Sequence, residues 1–473
     1  MENQQICKMS GLQLKRAVKS KKISPVEIVD AFLDRIEKVN PKINAYCTLI
    51  PESARQAAKD AEKKVMQDEP LGALHGVPVS IKDLAWMKGV RTTGGSLLYE
   101  HFVPDRDAIF VERLKAAGAI ILGKTNTPEF GWVGVTRNRV FGASHNPWNV
   151  NYTTGGSSGG AAASVAASLG PMAQGSDGGG SIRTPSSFCG VYGLKPSYGR
   201  VPQSPGFPGL WEGLSVTGPI ARTVADAALM LEVMSGYDAR YFHSIPQQAP
   251  HYTSSVRGDL SLKGLKVAWT RDMGYATVDS RVVKAFEKAV KVFSTLGCEM
   301  FEAHPGAPDP VPAFSLQVAS ALVGHLGPEL AARGHLLERG LKTYVERNLN
   351  VSAGDYVRAR MAQHEYWAKV CPFFEKYDLL LTPVLAVPPF DIKLYGVEEI
   401  NGQKVSPIAW MPFTYPFNIT GQPAASIPCG FTDDKLPIGM QIIGRKYDEA
   451  LVIKASAAFE QAQPWADIYP PLD

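Results

Sequence analysis

The stretch whose reading decides the fold is GGSSGGAAASVAASLGPMAQGSDGGGSIR, residues 155–183. Small side chains over 159–169 predict a helix that packs closely against its neighbours, and Gly170 and Pro171 end it. Residues 171–176 then read as a short strand running back. The helix would rise about 16 Å and the strand would return about 20 Å. The two nearly cancel, so Ser157 at the helix start and Ser181 beyond the strand come within reach of each other.

Around Ser181 the sequence is GSDGGGSIR, 175–183. Glycines reach dihedrals closed to other residues and let a ligand approach the backbone. Successive N–H groups from Gly178, Gly179, Gly180 and Ser181 then suit a developing oxyanion, with Ser181 as nucleophile. A plain tight turn, its serine capping the next segment, fits the local pattern as well. A serine nucleophile needs a base, and no histidine is near in sequence. Lys82, at the end of the apolar run PVSIKD, is the candidate. A lysine acts as base only when neutral, which burial favours; a solvated strand-end lysine is the alternative.

Elsewhere, strand-like and helical runs alternate. SPVEIVDAFLDRIEKVN (24–40), ESARQAAKDAEKKV (52–65) and DAIFVERLKAAG (107–118) read as helices. GVPVSIKD (76–83), AIILG (119–123), LKVAWT (265–270), DLLLTP (378–383), ASIPCGF (425–431) and PIGMQIIG (437–444) read as strands. The pattern predicts an α/β fold around a mixed or parallel sheet. Residues 1–70 are expected as N-terminal helices, 71–235 as the catalytic core and 379–473 as the rest of that core. Between them, 236–378 is more variable: 236–262 is a loop or linker, and 310–376 is mostly helical, either covering a substrate site or packing on the sheet's flank.

Charge is balanced, 49 Lys and Arg against 45 Asp and Glu, with no basic block, so nucleic acid is not an expected partner. The longest weakly polar run, 161–173, is too short to span a bilayer. The first twenty residues lack the apolar core of a signal peptide, and the six cysteines show no pairing or metal spacing. A reduced, cytoplasmic setting without a metal is expected. GAIILGKT (118–125) matches a phosphate loop only formally, because its middle residues want a buried strand. GSSGG (156–160) matches a nucleophile elbow centred on Ser158, but what precedes it is not a strand; an esterase using Ser158 and a histidine stays as an alternative.

Taken together, HGVPVSIKD (75–83), GGSSGG (155–160), GSDGGGSIR with PSSFCGVYGLKPSYGRVP (185–202), and GQPAASIPCG (421–430) resemble the amidase signature family. The resemblance implies one α/β domain, a central mixed β-sheet flanked by helices on both faces. It implies a triad of Ser181 as nucleophile, Ser157 after a cis peptide from Gly156 as proton relay, and Lys82 as base. Gly178 to Ser181 would form the oxyanion hole, Ser158 would hydrogen-bond within the site, and Asp177 and Arg183 would brace the loop. No cofactor is implied.

The substrate would be a small-molecule amide: linear or aryl, an amide oligomer or a carbamate. Family members that take ammonia from glutamine within a tRNA-dependent amidotransferase carry an acidic residue before an FT-x-P-x-N segment. Here that segment is MPFTYPFN (411–418), and Met411 holds the acidic position. This favours a standalone amidase, as a monomer or homodimer, over the glutaminase-like component of such a complex. Trp86, Trp132, Trp211 and Tyr415, with Met411, are the expected lining of a hydrophobic pocket.

Overall fold

Residues 155–183 do fold back on themselves. In the computed structural model, which describes residues 2–207, 211–246 and 251–472, the helix is Gly159–Ala166 and the strand Met172–Asp177. The helix is shorter than expected because Ser168 turns left-handed, with φ 58°, before Gly170 is reached. All eight helical residues are buried. A Cβ on Gly160 would lie 2.4 Å from the Asn126 nitrogen and 2.5 Å from the Ala45 oxygen, so only glycine lets the backbones approach this closely.

The strand joins an eleven-stranded mixed sheet. From one edge the order is Tyr46–Leu49, Ile120–Thr125, Pro78–Lys82, Met172–Asp177, Val216–Ala221, Tyr192–Lys195, Ala424–Phe431, Pro437–Gly444, Leu379–Pro383, Lys266–Trp269 and Glu299–Glu302. Pro78–Lys82 runs parallel to both its neighbours, as does Lys266–Trp269. Each set uses a crossover helix that parallel pairing requires, for example Ile109–Ala116 and Ser280–Thr295. The middle of the sheet is antiparallel.

Helices cover both faces. Ile120 and Leu122 pack with the N-terminal helices and Gly159–Ala166, whereas Ile121 between them joins the larger core on the other face. The segment matching a phosphate loop is a fully buried strand, and Lys124 donates to the Ala85 carbonyl and to Thr92 Oγ1. The loop expected at 236–262 contains one short turn of helix, Tyr252–Val256; residues 247–250 lie outside the described residues. The helical region contains Val311–Leu326, Leu330–Arg333, Arg339–Arg347 and Ala353–Lys376. Among the described residues no helix is long and apolar enough to cross a membrane.

Candidate active site

Lys82 ends its strand fully buried, with its backbone N–H on Gln174 Oε1 at 3.0 Å. Its Nζ contacts three hydroxyls: Ser157 Oγ at 2.6 Å, Ser158 Oγ at 2.9 Å and Ser176 Oγ at 3.0 Å. Among the described residues it has no ion-pair partner. Burial therefore pushes its pKa down to about 7, against an upward pull from the Asp177 charge. Near neutral pH much of this lysine is the free amine, able to accept a proton.

Ser158 ties the parts together. Its N–H donates to the Ser181 carbonyl at 3.0 Å, and its hydroxyl donates to the Ser176 carbonyl at 3.1 Å. The Gly156–Ser157 peptide is cis. Ser157 and Ser181 line the same cavity, without a direct hydrogen bond between them among the described residues.

The turn bearing Ser181 is shaped from beneath by Asp177 and Arg183, a fully buried ion pair at 2.8 Å. The carboxylate accepts the N–H of Gly180 at 2.8 Å and that of Ile182 at 3.1 Å. Burial alone would raise its pKa, but the adjacent guanidinium outweighs this and holds it well below the usual carboxylate range. Arg183 also donates to the Thr414 carbonyl at 2.8 Å, Gln441 Oε1 at 2.6 Å and Asn418 Oδ1 at 2.7 Å. Asn418 in turn donates to the Asp177 carbonyl at 2.8 Å, and Thr414 Oγ1 to the Gly179 carbonyl at 2.7 Å. Gly180 has φ 127°, which glycine alone adopts readily. Of the four N–H groups expected to face an oxyanion, that of Gly180 is already engaged. Those of Gly178, Gly179 and Ser181 have no protein acceptor among the described residues.

Two cavities meet at Ser181. One, of about 450 Å³, is lined by Ser157, Gln174, Ser176 and Gly178 and extends towards Thr217 and His243. The other, of about 320 Å³, is walled by Trp132, Phe314, Val318, Tyr344, Ile408 and Met411. Phe314, Val318 and Tyr344, three of the residues on this wall, belong to the helical region 310–376.

The expected pocket needs correction at two positions. Trp132, Trp211 and Met411 line the cavities. Trp86 does not; it packs on Phe102 with ring centroids 5.2 Å apart. Tyr415 is 1% exposed, stacked behind Phe314 and donating to Asp309 Oδ1 at 2.8 Å, so it supports the wall from behind. Gly178 makes room for Trp211, whose ring would come within 2.9 Å of a Cβ there. Sequence reasoning missed Ser176, Phe314, Thr414, Asn418 and Gln441. Ser176 was findable: strand alternation puts it on the same face as Gln174, and both reach Lys82.

The family profile described as Amidase matches residues 27–453. The chain belongs to the amidase signature family. An acylamidase of Rhodococcus erythropolis is 38% identical over 481 residues, spanning 99% of this chain and 98% of the relative. A component of the glutamyl-tRNA(Gln) amidotransferase of Carboxydothermus hydrogenoformans is 37% identical over 478 residues, spanning 96% and 97%. A bacterial aryl acylamidase of the amidase signature enzymes superposes with a TM-score of 0.91 at 33% identity, covering 97% of this chain and 96% of that one. The protein is an amidase that hydrolyses C–N amide bonds. The esterase alternative falls away: Ser158 Oγ faces Lys82, with no histidine against it among the described residues.

Proposed function

We propose that this amidase works alone, through an acyl-enzyme on Ser181, with Ser157 and Lys82 as its proton path. Ser181 Oγ attacks the amide carbonyl carbon, and its proton passes to Ser157 as Ser157 gives its own to neutral Lys82. The oxyanion is held by the N–H groups of Gly178, Gly179 and Ser181. The C–N bond then breaks, and the nitrogen takes a proton from Ser157, which Lys82 restores. Water, activated along the same path, attacks the ester carbon; the acid leaves and Ser181 regains its proton. The observation carrying this reading is the 2.6 Å contact between a buried, unpaired lysine and Ser157, which shares a cavity with Ser181.

Trapping with a fluorophosphonate followed by peptide mapping tests it. The adduct is expected on Ser181, lost in Ser181→Ala and kept in Ser158→Ala; an adduct on Ser158 would refute the assignment.

The likeness to amidotransferase components favours a second reading, a glutaminase needing partner chains. Met411 argues against it, because it lies on the apolar cavity where glutamine's amino group would need a carboxylate. The chain alone should hydrolyse an apolar amide such as phenylacetamide and leave glutamine untouched. Glutamine turnover with no activity on apolar amides would favour the second reading.

A further inference from the structure

The two cavities differ in chemistry, and their relation to the proton path gives the substrate a direction. Ser157 lines only the larger one. That cavity mixes aromatic walls with Gln203, Glu212, Ser215, Thr217, Arg240 and His243. Among the described residues no charged side chain lines the smaller one; Trp132, Val318, Leu322, Ile408 and Met411 give its character. Gly131, Ser181 and Trp211 are common to both and form the partition. Trp211 is fixed there by its indole N–H, which donates to the Phe130 carbonyl at 3.0 Å.

A secondary amide is trans, so its acyl and amine substituents leave the C–N bond in opposite directions. With the carbonyl carbon at Ser181, one substituent must enter each cavity. The nitrogen has to face Ser157 to receive its proton, so its substituent enters the larger cavity and the acyl group enters the smaller one. We propose that this amidase selects amides of apolar, aryl-sized carboxylic acids with polar amines, the acyl group on the Val318 and Ile408 side and the amine on the Gln203 and Thr217 side. A ligand pocket excludes water from apolar groups and pairs polar ones, so the reversed amide loses on both sides.

This rests on the acyl-enzyme reading above, and the test separates the two. The probes are two constitutional isomers with the amide reversed: N-(2-hydroxyethyl)phenylacetamide and N-benzyl-3-hydroxypropanamide. The first is expected to have a kcat/KM about tenfold or more above the second. Val318→Trp, which fills the smaller cavity, should lower kcat/KM for the first about tenfold, and by a smaller factor for N-(2-hydroxyethyl)acetamide, whose acyl group is a single methyl. Equal or reversed preference, turnover of neither isomer, or a Val318→Trp loss confined to the benzylamide would overturn the orientation. Should Val318→Trp fail to fold, the isomer ratio of the unaltered enzyme decides. Fluorophosphonate labelling of Ser181, run in parallel, reports on the acyl-enzyme reading: labelled Ser181 with the wrong preference refutes the orientation alone, and turnover with Ser181 unlabelled refutes the reading beneath it.

Discussion

Lys82 Nζ contacts three hydroxyls and, among the described residues, no carboxylate, and that sets its chemistry. A carboxylate in contact would hold the ammonium charged and useless as a base. Lys82→Ala is expected to reduce kcat about a thousandfold or more while leaving the circular dichroism spectrum unchanged; a loss under tenfold would remove lysine from the mechanism. Asn418 acts at one remove. Its bonds to Arg183 and Asp177 hold the turn that carries Gly178, Gly179 and Ser181. Asn418→Ala should lower kcat by about ten- to a hundredfold with little change in KM, since an oxyanion forms only on the way to product. A rise in KM at constant kcat would place Asn418 in substrate binding instead. Lys82 and both serines were readable in sequence because their types and spacing are restrictive. Asn418 closes the FT-x-P-x-N segment, but neither its support of the ion pair nor that of Gln441 was readable, because both lie more than 200 positions from the pair they hold.

At the level of elements, glycine positions separate close packing from weak propensity. Gly160→Ala would drive a Cβ into backbone atoms of Asn126 and Ala45, and should cost about 1–3 kcal/mol of stability. Gly324, an exposed position in the last turn of helix Val311–Leu326, has open space around it. Gly324→Ala should add about 0.5–1 kcal/mol through helix propensity. Denaturant melts of both variants check the pair, and the same sign for both would contradict the packing described. The long buried strands and amphipathic helices were legible from periodicity. The strands Tyr46–Leu49, Tyr192–Lys195, Val216–Ala221 and Glu299–Glu302 were not: three have only four residues, and Val216–Ala221 carries Gly218 and Pro219 in its middle, so no apolar run marks it. No local pattern gave the strand order.

Across the whole molecule, the helical layer over the apolar cavity is tied to the core through one buried acid. Glu129 accepts the N–H of Glu338 at 2.6 Å and the hydroxyl of Ser96 at 2.5 Å. Nearby, Arg139 donates to the His335 and Leu337 carbonyls at 2.8 and 2.9 Å. Burial pushes the Glu129 pKa up to about 7, against the opposing hydrogen bond from Ser96. A folded-state pKa above the ordinary 4.5 means the native protein binds this proton more tightly than the unfolded chain. Its stabilising contribution is present below that ordinary value and is lost as the pH rises through about 7. Glu129→Gln imitates the protonated acid, so its advantage in unfolding free energy over the unaltered protein, read from denaturant melts, should grow between about pH 5 and about pH 8, to about 2 kcal/mol. A pH-independent difference would show that Glu129 does not titrate in this window. Two readings of residues 310–376 were open in the sequence, covering the site or packing on the sheet's flank, since an amphipathic helix does not reveal which surface it packs on.

The central claim is that neutral Lys82 drives acylation of Ser181 through Ser157, and the pH dependence of that acylation tests it most directly. The rate of Ser181 labelling by a fluorophosphonate should rise about tenfold per pH unit below a midpoint near 7 and level off above it. In Lys82→Ala the rate should be low and without that midpoint. A profile flat across neutrality, or one that Lys82→Ala leaves unchanged, would contradict the account.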